Sequence, residues 1–223
     1  MITRMTAGQE DQLSLLRESV GTYIDGKRLS HTLGVEREIA ALGKIYLPTE
    51  EYRLRVAALL HDITKQKTTE EQLGLCKAFG IEISPFAKMT PKTLHAKTAV
   101  GVIERDFSAF AEPMILTAVR YHTTGRAGMS MPEKLLYLAD YIEDTRTFPG
   151  CVALRKYFYG RLPEADTEEK RAGLLADTLI VSFDMTIDDL LKEKAPIDPD
   201  TVAARNDLLL KNNQKGNFIY GRK

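Results

Sequence analysis

A chain of 223 residues can bury one sizeable core, and nothing in its length requires a second domain. Its 31 basic and 31 acidic side chains cancel, which excludes the overall positive field that drives non-specific binding to nucleic acid or membranes; an anion site must be local. Cys76 and Cys151 stand far apart in no metal-type spacing, the first residues are polar, and no apolar run approaches ~18 residues, so the expectation is a cytoplasmic, soluble protein with neither a nucleic-acid nor a membrane partner.

Apolar residues recur at helical spacing, as in Leu13, Leu16, Val20, Tyr23 and Ile24, and no stretch sustains an alternation of period two, which predicts an all-α fold. Helices are expected near 9–24, 28–46, 50–62, 69–79, 92–106, 112–122, 132–143, 151–159, 167–192 and 199–213. Start signals are Thr49 before two glutamates, the capping pairs Thr68 with Glu71 and Ser130 with Glu133, and Asp198 before Pro199. Gly80 suits the end of the helix carrying Leu73 and Cys76, and Pro48, Pro91, Pro113, Pro132 and Pro196 punctuate the rest. Residues 211–223 read as a polar, basic tail whose simplest explanation is solvation.

The four histidines, His31, His61, His95 and His122, all fall in the first 122 residues. His61 and Asp62 close the apolar run from Val56 to Leu60, where adjacent side chains at a helix end can turn toward one point. Imidazole and carboxylate together suit iron, manganese, zinc or similar ions, and the two oxygens of Asp62 could bridge a pair of them. Asp140, set in the apolar run from Leu135 to Ala139, needs a partner and is the best further ligand. A lone histidine on a helix is more often a packing residue, but each of these has a basic residue three or four positions away: Lys27 and Arg28, Lys65, Lys92, and Arg126. Cations beside metal ligands suit a substrate carrying several negative charges, such as a phosphate ester or anhydride. The signatures of phosphate loops, dinucleotide folds, serine hydrolases and zincins are missing.

The ordered series His31, His61-Asp62, His95, His122, Asp140 resembles the H...HD...D signature of the HD-domain metallophosphohydrolases. The segments Arg28 to His31, His61-Asp62-Ile63-Thr64-Lys65, His95 to Ala99, His122-Thr123-Thr124-Gly125-Arg126 and Asp140 to Glu143 are similar to the YqeK-type branch, the symmetrical bis(5'-nucleosyl)-tetraphosphatases. The resemblance implies a single HD-domain helical bundle over 1–195; it does not reach 196–223, which helical pattern and composition mark as a C-terminal helix and basic tail. It further implies two divalent or mixed-valence metal ions, with iron expected and manganese, cobalt or zinc as alternatives. One would be held by His31, His61, Asp62 and Asp140, the other by Asp62, His95 and His122. The implied reaction is cleavage of diadenosine tetraphosphate to two ADP by a metal-bound hydroxide, with Asp62, Lys65 and Arg126 catalytic. Arg28, Lys65, Thr123, Gly125, Arg126 and Asp144 are the expected substrate contacts. The alternatives are an HD phosphohydrolase of a mono- or triphosphate or of a guanosine tetraphosphate, and a nucleotide sensor without turnover. A homodimer is open.

Overall fold

The computed structural model describes residues 5–214, and among them every regular element is helical. In chain order the α-helices are α1 (Ala7–Val20), α2 (Gly26–Tyr46), α3 (Glu51–Leu60), α4 (Thr69–Ala78), α5 (Pro85–Met89), α6 (Leu94–Asp106), α7 (Pro113–Tyr121), α8 (Met131–Ile142), α9 (Pro149–Arg161), α10 (Glu168–Lys192) and α11 (Pro199–Gln214). No helix among the described residues is long and apolar enough to cross a membrane.

Contacts gather the chain into two compact units, one of residues up to Thr123 plus Ser130–Thr145, the other of Thr124–Met129 plus the residues from Arg146 on. This grouping differs from the boundary at 195 expected from sequence, because α10 packs on both α9 and α11. Of the expected basic tail, 215–223 lies outside the described residues.

In the first unit α3 is the central element, packed on α1, α2, α7 and α8. Leu54 and the run Val56, Ala57, Ala58, Leu59 and Leu60 are all buried, so α3 is apolar around most of its circumference, the pattern of a helix enclosed on every side. Each of its leucines and its valine contributes about 1.5–3 kcal/mol of burial. In the second unit Leu154 and Phe158 of α9, Leu175, Leu179, Ile180 and Phe183 of α10, and Ala204 and Leu208 of α11 form the core.

Most expected helix ends are made by the expected residues. Thr68 Oγ1 accepts from Glu71 N at 3.2 Å while Glu71 Oε2 accepts from Thr68 N at 2.7 Å. Ser130 N donates to Glu133 Oε2 at 2.8 Å. Gly80, at φ 63°, closes α4 with Gly80 N donating to Lys77 O and Ile81 N to Cys76 O, the paired bonds of a left-handed helix terminus. Thr49 differs: it sits inside a 3-10 turn, Pro48–Glu50, and supplies no cap to α3. Helix α1 starts before residue 9 because Thr6 and Gln9 form a reciprocal cap, and α5, only five residues long, is too short to show a periodic pattern.

Candidate metal centre

The fold brings all six expected ligands of the first unit to one place. Three of its helices end there: His61 is the C-cap of α3, His122 the C-cap of α7, and Glu143 the C-cap of α8, with Asp140 in the last turn of α8. Each carbonyl end carries roughly half a negative charge, a setting that favours cations. His31 comes from α2 and His95 from the first turn of α6.

The two oxygens of Asp62 face different neighbours. Oδ2 lies 3.4 Å from His61 Nε2 and 3.9 Å from His31 Nε2, and Asp140 Oδ1 lies 2.9 Å from His31 Nε2 and 3.9 Å from His61 Nε2. Oδ1 lies 3.2 Å from His95 Nε2 and 3.5 Å from His122 Nε2, and those two nitrogens are 3.0 Å apart. His31, His61 and Asp140, and likewise His61, Asp62 and His122, each present ligand atoms within 4.8 Å of one another.

The other ring nitrogen of each histidine is already committed. Nδ1 of His61, His95 and His122 lies 2.6, 2.7 and 2.7 Å from the carbonyl oxygens of Ala58, Lys92 and Val119, in each case three residues earlier. A carbonyl only accepts, so each Nδ1 carries the proton and each Nε2 turns a lone pair toward the carboxylate of Asp62. Lone pairs facing lone pairs repel unless a cation stands among them. Accordingly His61 Nε2 and Asp62 Oδ1 are buried with no hydrogen-bond partner, a cost that metal coordination removes. The donor set therefore fits a divalent transition metal.

The surroundings enforce these charge states. Burial by itself would raise the Asp62 carboxyl; only a proton or a cation at the facing nitrogens of His61, His122 and His95 outweighs burial and holds it well below the usual carboxylate range. Burial pushes the His95 imidazole down to about 4 despite Asp62 beside it, and burial likewise lowers His122. Both rings are thus neutral near pH 7, the ligand form.

Among the expected substrate contacts, Arg28 Nη1 donates to Asp62 Oδ2 at 2.7 Å. Lys65, four residues after His61, lies beyond the end of α3 at Leu60, and its ammonium is 3.2 Å from His95 Nε2. The Thr123 hydroxyl is buried without a hydrogen-bond partner beside His122. Asp144 pairs with Arg37 at 3.0 Å, both largely exposed, and is not in either group of converging ligand atoms. Gly125 and Arg126 belong to the second unit, where Gly125, at φ 63°, is required by packing: a Cβ there would meet Phe183 Cζ at 2.6 Å.

The sequence reading missed Glu143 as a functional group. Its Oε1 accepts from His31 Nδ1 at 2.9 Å and from Thr145 Oγ1 at 2.7 Å, and its Oε2 accepts from Thr145 N at 2.7 Å. Burial opposes its charge, yet these donors keep the carboxyl below its ordinary value. The carboxylate–histidine pairing orients His31 and makes it a stronger ligand. Gly34 makes room for it, since a Cβ there would lie 2.2 Å from Glu143 Oε2. The available signal was the spacing of Asp140 and Glu143, one helical turn apart.

Residues 28–145 match the HD domain family. The chain is 33% identical over 191 residues to a protein of Halalkalibacterium halodurans named symmetrical bis(5'-nucleosyl)-tetraphosphatase, covering 86% of this chain and 94% of that one. It is 31% identical over 198 residues to a Bacillus subtilis protein of the same name, covering 89% and 96%. A crystal structure from Clostridium acetobutylicum, described as an HD superfamily hydrolase involved in NAD metabolism, superposes with a TM-score of 0.76 at 28% identity, over 89% of this chain and 97% of that one. With the family pattern spanning the same residues that assemble the His and Asp cluster, the chain belongs to the HD domain family, in the branch of these tetraphosphatase relatives.

Proposed function

We propose that the chain cleaves diadenosine tetraphosphate, or a close dinucleoside analogue, symmetrically into two nucleoside diphosphates. The observation that carries this reading is the division of the Asp62 carboxylate between two imidazole sets, which suits two ions bridged by one residue. The first ion would take His31, His61, Asp62 and Asp140, and the second Asp62, His95 and His122; iron is the expected metal, with manganese, cobalt and zinc as alternatives. Such ions, when bound, make water acidic near neutral pH and offset charge on phosphoryl oxygens.

The chain's own residues do the positioning. Water adds to a phosphorus flanking the central anhydride oxygen, the bond from that phosphorus to the bridging oxygen breaks, and one ADP departs from each side. Arg28 and Lys65 flank the ligand cluster from the sides of Asp62 and His95 and would hold non-bridging phosphate oxygens. The family resemblance extends the expected contacts with this substrate to Arg126, Thr123, Gly125 and Asp144, and a cytoplasmic setting belongs to the same proposal. No side-chain nucleophile is needed.

The test is to incubate metal-loaded protein with diadenosine tetraphosphate and separate the products, with Asp62→Ala as control. ADP as the sole product, lost together with bound metal in the variant, is the expected result. ATP plus AMP would place attack at another phosphorus, and turnover of a different nucleotide only would reassign the substrate.

A further inference from the structure

Adjoining the ligand cluster, within the first unit, lies a cavity of ≈ 200 Å³ lined by Lys65, Lys67, Thr69, Gln72, Lys92 and His95. Three lysines are among its lining residues, and no Asp or Glu of the described residues lines it. Lys67 pairs with Glu71 at 4.0 Å, an acid half exposed and engaged in capping α4. An exposed pair of that length contributes little, so the cavity keeps its positive character.

The cavity floor is fixed and shares its supports with the metal centre. Gln72 is buried, donating from Nε2 to Thr64 O at 2.6 Å and accepting from Thr98 Oγ1 at 2.5 Å, while Thr64 Oγ1 donates to His95 O at 2.9 Å. Lys92 supplies the carbonyl that orients His95. His95 thus turns its Nε2 to Asp62 and also lines the cavity. Holding three like charges around one concavity costs mutual repulsion, which a polyanion reverses. The volume is below the ~300–1,000 Å³ of sites that enclose a whole organic ligand, and so suits phosphoryl groups without a nucleoside.

We infer that this cavity is a polyphosphate subsite, in which Lys67 and Lys92 hold the phosphoryl groups that extend past the metal centre on the His95 side. The inference rests on the dinucleoside tetraphosphate reading and adds the residues that select for a long phosphate chain. On this reading a substrate with a single phosphate at the metals leaves these lysines unoccupied. Both lie outside the ligand set, so replacing them leaves the metal centre intact.

Lysine acylation followed by mass spectrometry tests this on the metal-loaded full chain, with inorganic tripolyphosphate and orthophosphate as probes. Tripolyphosphate should slow labelling of Lys67 and Lys92 by about fivefold or more, an occupancy set by charge-assisted contacts, while orthophosphate should not. Lys44 and Lys97, which line other surfaces, serve as controls. Unchanged labelling of Lys67 and Lys92, or equal protection by orthophosphate, overturns the subsite. The Lys67→Gln/Lys92→Gln double variant should raise KM for diadenosine tetraphosphate about tenfold with kcat nearly unchanged, the loss of roughly one decade of binding; an unchanged KM overturns the inference. The footprint uses no turnover, so it decides the subsite even for a chain inactive on dinucleotides.

Discussion

Gly34→Ala opposes two effects of known sign. In the interior of a helix the change from glycine to alanine should stabilise by about 0.5–1 kcal/mol. Here the added Cβ would lie 2.2 Å from Glu143 Oε2 and 3.0 Å from its Cδ. Glu143 is fully buried and tied by Thr145 and His31, so it cannot swing aside without breaking those bonds. Losing the charge-assisted bond to His31 costs about 1.5–3 kcal/mol. The metal-free variant should therefore be less stable by about 1–2 kcal/mol, with a melting midpoint lower by about 2–8 °C. With His31 no longer oriented, metal affinity should fall about 10- to 100-fold. Thermal melts of metal-free protein and calorimetric titration with manganese read the two quantities separately. A raised midpoint with unchanged manganese affinity would refute the reasoning, since helix propensity alone would then govern the site and Glu143 would orient nothing. The effects of Gly34→Ala and Glu143→Ala should also fall well short of additive, because both act through the same bond.

Acid should destabilise the metal-free chain. The His95 imidazole is lowered to about 4 in the folded state against 6.5 ordinarily, so between these values the unfolded chain binds more protons and stability falls as pH falls, by up to about 1.4 kcal/mol per pH unit. The depressed carboxyl of Glu143 acts in the same direction further down in pH. Denaturant midpoints from pH 7 to 4 that stay level would contradict this. Arg28→Gln should destabilise the metal-free chain by about 1–3 kcal/mol, by removing a donor to buried Asp62, and metal should then raise the melting midpoint more in the variant than in the parent; an equal rise would show that Arg28 does not balance Asp62. Gly125→Ala should cost more than about 1 kcal/mol through its left-handed backbone and the Phe183 contact, with a melt no lower than the parent as the contrary result.

Much of this molecule is visible in the chain because its signals are local. The Thr68 and Glu71 cap, Gly80 and the apolar run of α3 each specify structure within a few residues, and those elements form as expected. What fails is either too short for a period, as in α5, or depends on where a helix stops. The offset of four residues sets Lys65 beside His61 in sequence, whereas the chain turns after Leu60 and delivers the ammonium to His95. The ligand series was legible as an order of residue types. The carbonyl that fixes each ring, and the role of Gly34 in admitting Glu143, depend on three-dimensional proximity that no spacing encodes.

The histidines differ in what holds them, and that difference governs how the protein can change over generations. Three imidazoles are steered by their own main chain one turn upstream, an arrangement that no exchange of neighbouring side chains can delete. His31 alone leans on a replaceable side chain, Glu143. Mutational drift around His61, His95 and His122 leaves their aim unaltered, whereas a single codon at 143 or 34 retunes the His31 end. That end is where variation between members of such a lineage can adjust metal preference without dismantling the centre.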